Sequence, residues 1–207
     1  MEMKRKMKKF ITCLFFLLLL GTSIYTCDDP KIHSQIIDSI LDLEGDKIFK
    51  TKTEYSRYGI RKSLLKYYNT KYNLNYSLKT LNRKKAHNIA SILMTEYKID
   101  RIDNCNLKLL IYDLFYNAGP KTGSLILQKS LNKYYENQCV NEDGILGNQT
   151  LSYINQVKNL KNFKNIFIEE RLNYYSRLKN WNIYKNGWTK RIKSFSKIHD
   201  LDCKSIL

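Results

Sequence analysis

Glu44 is the residue of this 207-residue chain best placed to do acid–base chemistry. It ends the stretch SILDLEGDKIF, in which Ile36, Ile37, Ile40, Leu41 and Leu43 recur at helical spacing. Residues 33–44 therefore read as a short amphipathic helix, with Glu44 on or beside its apolar face. Gly45 follows at once and suits the left-handed conformation that ends a helix. The negative end of a helix and an apolar surface both disfavour a carboxylate anion, so the pattern points to a protonated acid, a proton donor. The plainer reading is a helix-end glutamate with its head in water.

A second pair of polar residues lies deeper in the sequence. Asp113 and Asn117 sit four apart within LKLLIYDLFYNA (107–118), a helix apolar nearly all round. Buried polar groups need partners, so the face they share should meet a hydrogen-bonding cleft. Around these positions the chain reads as mostly α. Residues 46–60 are the exception, loosely alternating and rich in Thr, Tyr and Ile, and they predict a hairpin or irregular wing after the first helix. Asn82 is placed to cap the next helix, and Gly119-Pro120 stops the 107–118 helix. Helices continue through TGSLILQKSLNKYY, TLSYINQVKNL, FIEERLNYYSRLKNW and WTKRIKSF. NEDGILGNQT lacks acids at alternate positions before its glycine and is not a calcium loop. It reads as a structural turn, with Thr150 as a helix cap.

The basic start MEMKRKMKKF and the apolar run ITCLFFLLLLGTSIY form a signal peptide or amino-terminal anchor over residues 1–27. This predicts export to the periplasm or cell envelope. Cys27 stands where a lipoprotein signal would place its acylated cysteine; ordinary cleavage between Gly21 and Cys27 is the alternative. If Cys27 keeps its thiol, Cys105, Cys139 and Cys203 give it partners for disulfides. These spacings, even with His33, His87 and His199, resemble no zinc site, so neither a metal nor a cofactor is expected. The formal charge is +17, of which residues 1–26 supply +4. So basic an exported domain calls for an anionic partner. Lys and Arg are spread over nearly every segment rather than striped, so no nucleic acid is expected.

Several landmarks now fall in order: Glu44-Gly45, RYGI (57–60), YDLFYNAGP (112–120), LQKSL, EDGILGNQTL, and NGWTKRI. In that order they resemble the glycoside hydrolase family 108 muramidases and the peptidoglycan-binding-like helical segment that follows them, over roughly residues 33–194. The resemblance implies a lysozyme-like helical domain with a small β wing after the first helix. It implies a catalytic region over 28–121, a helical wall-binding region over 122–207, and cleavage of the peptidoglycan glycan strand. Glu44 takes the place of the family's acid. Tyr58 and Gly59 match its Tyr-Gly pair, Asn117 and Gly119 its Asn-x-Gly, and Gln128 its Leu-Gln. Asp143, Gly144, Gly147 and Thr150 match its glycine turn, and Trp188 and Arg191 its Gly-Trp-x-x-Arg. Asp46 departs from the pattern, replacing a second glycine.

Glycoside cleavage needs one protonated carboxyl and a second group that stabilises positive charge or activates water. Glu44 fits the first role; Asp46, Glu54, Asp113 or a positioned water fits the second. Tyr58, Asp113, Asn117 and Trp188 are the candidate substrate contacts, with packing the competing use of Trp188. A non-catalytic wall-binding scaffold on the same fold is the other function this sequence accommodates. If charge carries wall binding, peptidoglycan pull-down of the protein weakens as salt rises, because the Debye length shrinks from about 10 Å at 0.1 M to about 3 Å at 1 M. Retention indifferent to salt would assign the binding to stacking and hydrogen bonds.

Overall fold

The first helix, α1 (Pro30–Glu44), starts ahead of the expected His33 and ends on the expected glutamate. Asp29 caps it by accepting from the Lys31 amide, and Pro30 occupies the first turn, where a missing N–H costs nothing. Gly45, at φ 68°, closes it with its amide on the Leu41 carbonyl. In the computed structural model the described residues are 27–50 and 54–196. Residues 1–26 of the expected signal peptide or anchor, and Cys203, lie outside them. Among the described residues no helix is long and apolar enough to cross a membrane.

The wing follows α1 as three short antiparallel strands, β1 (Phe49–Lys50), β2 (Tyr55–Arg57) and β3 (Ile60–Arg61), in that order. Arg57 pairs with Ile60 across a two-residue turn, Tyr58-Gly59, at φ 53° and 72°. Positive φ at both central residues marks the hairpin turn whose twist matches its strands. Strands this short contribute little alone. Arg57 anchors them: its Nε donates to the Asp46 carbonyl (2.8 Å) and its Nη1 to those of Leu78 (3.3 Å) and Lys79 (3.2 Å).

Helices α2 (Lys62–Tyr72), α3 (Arg83–Glu96), α4 (Cys105–Ala118), α5 (Pro120–Tyr134), α6 (Asn148–Asn155), α7 (Leu160–Ser176) and α8 (Trp181–Ser196) complete the chain, with a 3₁₀ turn at Ile99–Arg101. Asn82 caps α3 as expected, accepting from the Lys85 amide at 3.0 Å. Thr150 is no cap: it lies inside α6, buried, because Gly147 starts that helix. Every residue of α4 from Leu107 to Phe115 is buried, as its all-round apolar pattern required. Helix α4 packs against α1 and α5; α5 in turn packs on α7, α7 on α8, and α1 on α3. The architecture is thus mostly α with a small β wing after the first helix, a lysozyme-like arrangement.

Cys27 forms a disulfide with Cys105 at the start of α4. A thioether-linked lipid and a disulfide compete for one sulfur, so this pairing accords with the alternative in which Cys27 keeps its thiol. Closing a loop of 78 residues by a crosslink stabilises a fold by about 4 kcal/mol in chain-entropy terms. Cys139 keeps a free, buried thiol.

Beside the disulfide, Lys108 is fully buried. Its Nζ donates to the Cys27 carbonyl and lies 2.9 Å from His33 Nε2, with Asp28 at 3.9 Å. Burial lowers the His33 pKa, Lys108 lowers it further, and Cys27, Asp100 and Asp28 only partly oppose them. A folded pKa below the unfolded value means that neutral His33 stabilises the fold above about pH 6.5, and that this contribution is lost as pH falls through the folded pKa. Thermal unfolding should therefore show the protein losing stability on acidification below pH 6, and His33→Gln should flatten that part of the profile. Parallel profiles for the two proteins would remove His33 from the acid response.

Candidate active site

Glu44 projects from the last residue of α1 toward the turn of the wing. The fit there is tight. A methyl group on Gly59 would come within 2.8 Å of the Glu44 carboxyl and of the Tyr116 ring. Gly59 thus meets two demands at once, a left-handed backbone and a close approach. Tyr116 comes from α4, and its hydroxyl donates to the Tyr58 carbonyl at 2.7 Å, tying the wing to the central helix. Burial pushes the Tyr116 pKa up, and the Glu44 charge pushes it further.

The third neighbour of Glu44 is a cation. Arg191 Nη1, from α8, lies 2.7 Å from Glu44 Oε1, with the two side chains 14% and 17% exposed. Arg191 Nε also donates to Asp113 Oδ1 at 2.8 Å, and its Nη2 lies 2.6 Å from the same oxygen. The other Asp113 oxygen accepts from Arg171 Nη1, from α7, at 2.6 Å. Arg171 Nε donates to the Tyr175 hydroxyl (3.1 Å), which donates to Asn117 Oδ1 (3.0 Å). Two carboxylates and two guanidiniums therefore balance within one network, the condition under which buried charge is tolerated. Burial lowers the Arg191 pKa, but Asp113 and Glu44 outweigh it and hold the guanidinium above the ordinary arginine range.

This geometry amends the sequence expectations. Glu44 lies at the helix end as expected, but it faces a guanidinium and not apolar surface alone. Asp113 is fully buried between two arginines, where it holds Arg191 in place. Tyr58 is only 8% exposed, with its ring in the core and Arg57 5.8 Å from the ring centre. Asn117 is exposed at the rim of the network. Trp188 packs against Tyr175, Trp181 and Tyr184 at ring distances of 5.0, 6.1 and 5.5 Å, which is the packing use weighed for it. Of the candidates for a second group, Asp46 is exposed on the wing. Glu54 accepts from Ser63 (2.6 Å), which holds its carboxyl below the usual range.

The sequence reading did not single out Arg171, Tyr116 or Tyr175, and it carried Arg191 only as part of a motif. A signal was present: an aspartate inside an apolar helix requires a cation, and ERLNYY and KRI are where the late helices carry arginine. Among the described residues no group of three or more His, Cys, Asp or Glu side chains is placed to hold a metal ion.

What the site can do follows from how Arg191 is held. Asp113 Oδ1 accepts from Nε at 2.8 Å with Nη2 2.6 Å away, which leaves Nη1 aimed at the Glu44 carboxyl. A carboxyl positioned in this way is of the type that serves acid–base chemistry.

No protein-family model matches the chain, and no curated protein does. Among solved structures it is similar to that of Brucella abortus SagA, with a TM-score of 0.65 and 19% identity over 80% of this chain and 91% of that one. That likeness is one of fold, and the resemblance to family 108 muramidases rests on the motifs themselves. Asp113→Asn tests the network directly: it leaves two buried guanidiniums facing one carboxylate and should cost about 3–5 kcal/mol. Urea denaturation measures this, and a loss under 1 kcal/mol would mean that Asp113 is not the keystone.

Proposed function

We propose that the protein is an exported peptidoglycan hydrolase of the N-acetylmuramidase type, with Glu44 as general acid. The observation that carries this reading is Glu44 itself, seated at a helix end between Gly59, Tyr116 and a fixed arginine. The ordered motifs and the lysozyme-like fold support it. In this mechanism the protonated Glu44 carboxyl gives its proton to the glycosidic oxygen as the C1–O bond breaks, and water completes hydrolysis at C1. Positive charge develops on the sugar ring, and no second carboxylate stands free beside Glu44 in the network. Water positioned at the cleft is thus the reading for the second role, with exposed Asn117 a neutral polar side chain at the rim of the network. The catalytic region spans 28–121 and the wall-binding helical region 122–207, with Arg191 and Arg171 reaching from the second into the first.

A second reading is a wall-binding scaffold without turnover, and one specific observation favours it. The Glu44 carboxylate is engaged by Arg191 at rest, and Asp46 stands in place of the family's second glycine. Turbidity clearing of purified peptidoglycan decides between the two. Glu44→Gln keeps size and hydrogen bonding but cannot donate a proton, so it should fold, bind the wall, and lose about 10²- to 10⁴-fold in turnover. Equal clearing by the variant would leave Glu44 a polar helix end. An inert parent that still binds peptidoglycan would establish the scaffold.

A further inference from the structure

Gln128 and the glycine turn have no part in the chemistry at Glu44, yet the fold invests buried hydrogen bonds in them. Gln128 is 1% exposed. Its Nε2 donates to Asp143 Oδ1 (2.8 Å) and the Ile145 carbonyl (3.0 Å), and its Oε1 accepts from the Gly144 amide (2.9 Å). Gly144, at φ 75°, packs so closely on Lys121 that a methyl there would lie 2.9 Å from Lys121 Cγ. The turn is thereby fixed as one wall of a groove of 510 Å³, formed with the end of α3 and the start of α5.

The chemistry of this groove is specific. Tyr97, Phe115, Pro120 and Ile145 supply apolar surface, and Ile145 is 64% exposed. Two carboxylates border it, and both have partners. Glu96 accepts from Lys71, Tyr68 and Tyr72, and Asp143 from Gln128 and the Ile145 amide. Lys98 and Lys121 have no carboxylate partner among the described residues. Lys71 matches the charge of Glu96, whereas the partners of Asp143 are neutral, so Lys98 and Lys121 against Asp143 leave the groove a balance of one positive charge. Its neutral hydrogen-bonding side chains are few, with Ser124 1% exposed, so a polyhydroxylated sugar ring would find little to bind. Carboxylates spaced along a chain of small apolar groups would find both of their partners.

The groove also adjoins the candidate site. Tyr97, Phe115 and Pro120 line in addition a small cavity of 50 Å³ that reaches Gly59 and Tyr116, the two residues against Glu44. We propose that this groove binds a short acidic peptide, the stem carried by the glycan, through Lys98 and Lys121 on the apolar surface of Tyr97 and Ile145. The identity of the peptide rests on the muramidase reading, whereas the site does not.

The test is titration of the full chain, followed by intrinsic fluorescence and by amide chemical shifts, with a synthetic acidic stem tetrapeptide and with the same peptide amidated at its carboxylates. Saturable binding of the acidic peptide is expected, with shifts confined to Tyr97, Lys98, Lys121 and Ile145. Lys98→Asn combined with Lys121→Gln removes both charge-assisted contacts and should weaken it about tenfold or more, while the fold is unchanged. Asn tolerates the left-handed backbone of Lys98 (φ 57°), so the variant does not unfold for that reason. Absence of saturable binding, or equal binding of the amidated peptide or by the double variant, overturns the proposal. These outcomes are independent of Glu44→Gln: an enzyme without turnover that still binds the acidic peptide loses the muramidase reading and keeps the groove.

Discussion

The buried carboxylate of Asp113 is the constraint on which the functional half of the molecule depends. It sits in the most apolar of the described helices, in a position that water cannot reach. Such a group is stable only when fully paired, and the partners come from two different late helices, Arg171 on α7 and Arg191 on α8. One aspartate thus docks two helices and aims one guanidinium at Glu44. Removing any member strands another charge, so the first and last described helices are coupled through electrostatics.

The wing illustrates a complementary economy. Its strands are too short to hold themselves, and Arg57 and Tyr116 tie its backbone to the α2–α3 connection and to α4. The same Tyr116 and the missing side chain of Gly59 then define the space around the Glu44 carboxyl. Support of the wing and shaping of the site are one set of contacts.

Much of this was legible in sequence where the signal was local. The periodicity before Glu44, the Gly45 stop, the Asn82 cap, the buried 107–118 helix and the β wing all follow from spacing and turn chemistry. The environment of Glu44 was not legible, because Arg191 is distant in sequence and nothing local says which buried acid an arginine will meet. The same holds for Cys27: both a lipid and a disulfide suited its position, and the proximity of Cys105 shows only in space. Tyr58 could be read in sequence as a stacking surface for a sugar or as core, and in the fold the hairpin turn buries its ring.

Arg191 rides on the last described helix and Glu44 on the first, which gives the site an order of assembly. A chain that emerges from its amino terminus presents the glutamate early and the arginine late. Until α8 docks, Glu44 lacks its partner, Asp113 holds only one of its two guanidiniums, and the pocket is open to water. The completed constellation therefore requires α8: a product cut before Trp181 would keep the wing and the acid while lacking the guanidinium beside it.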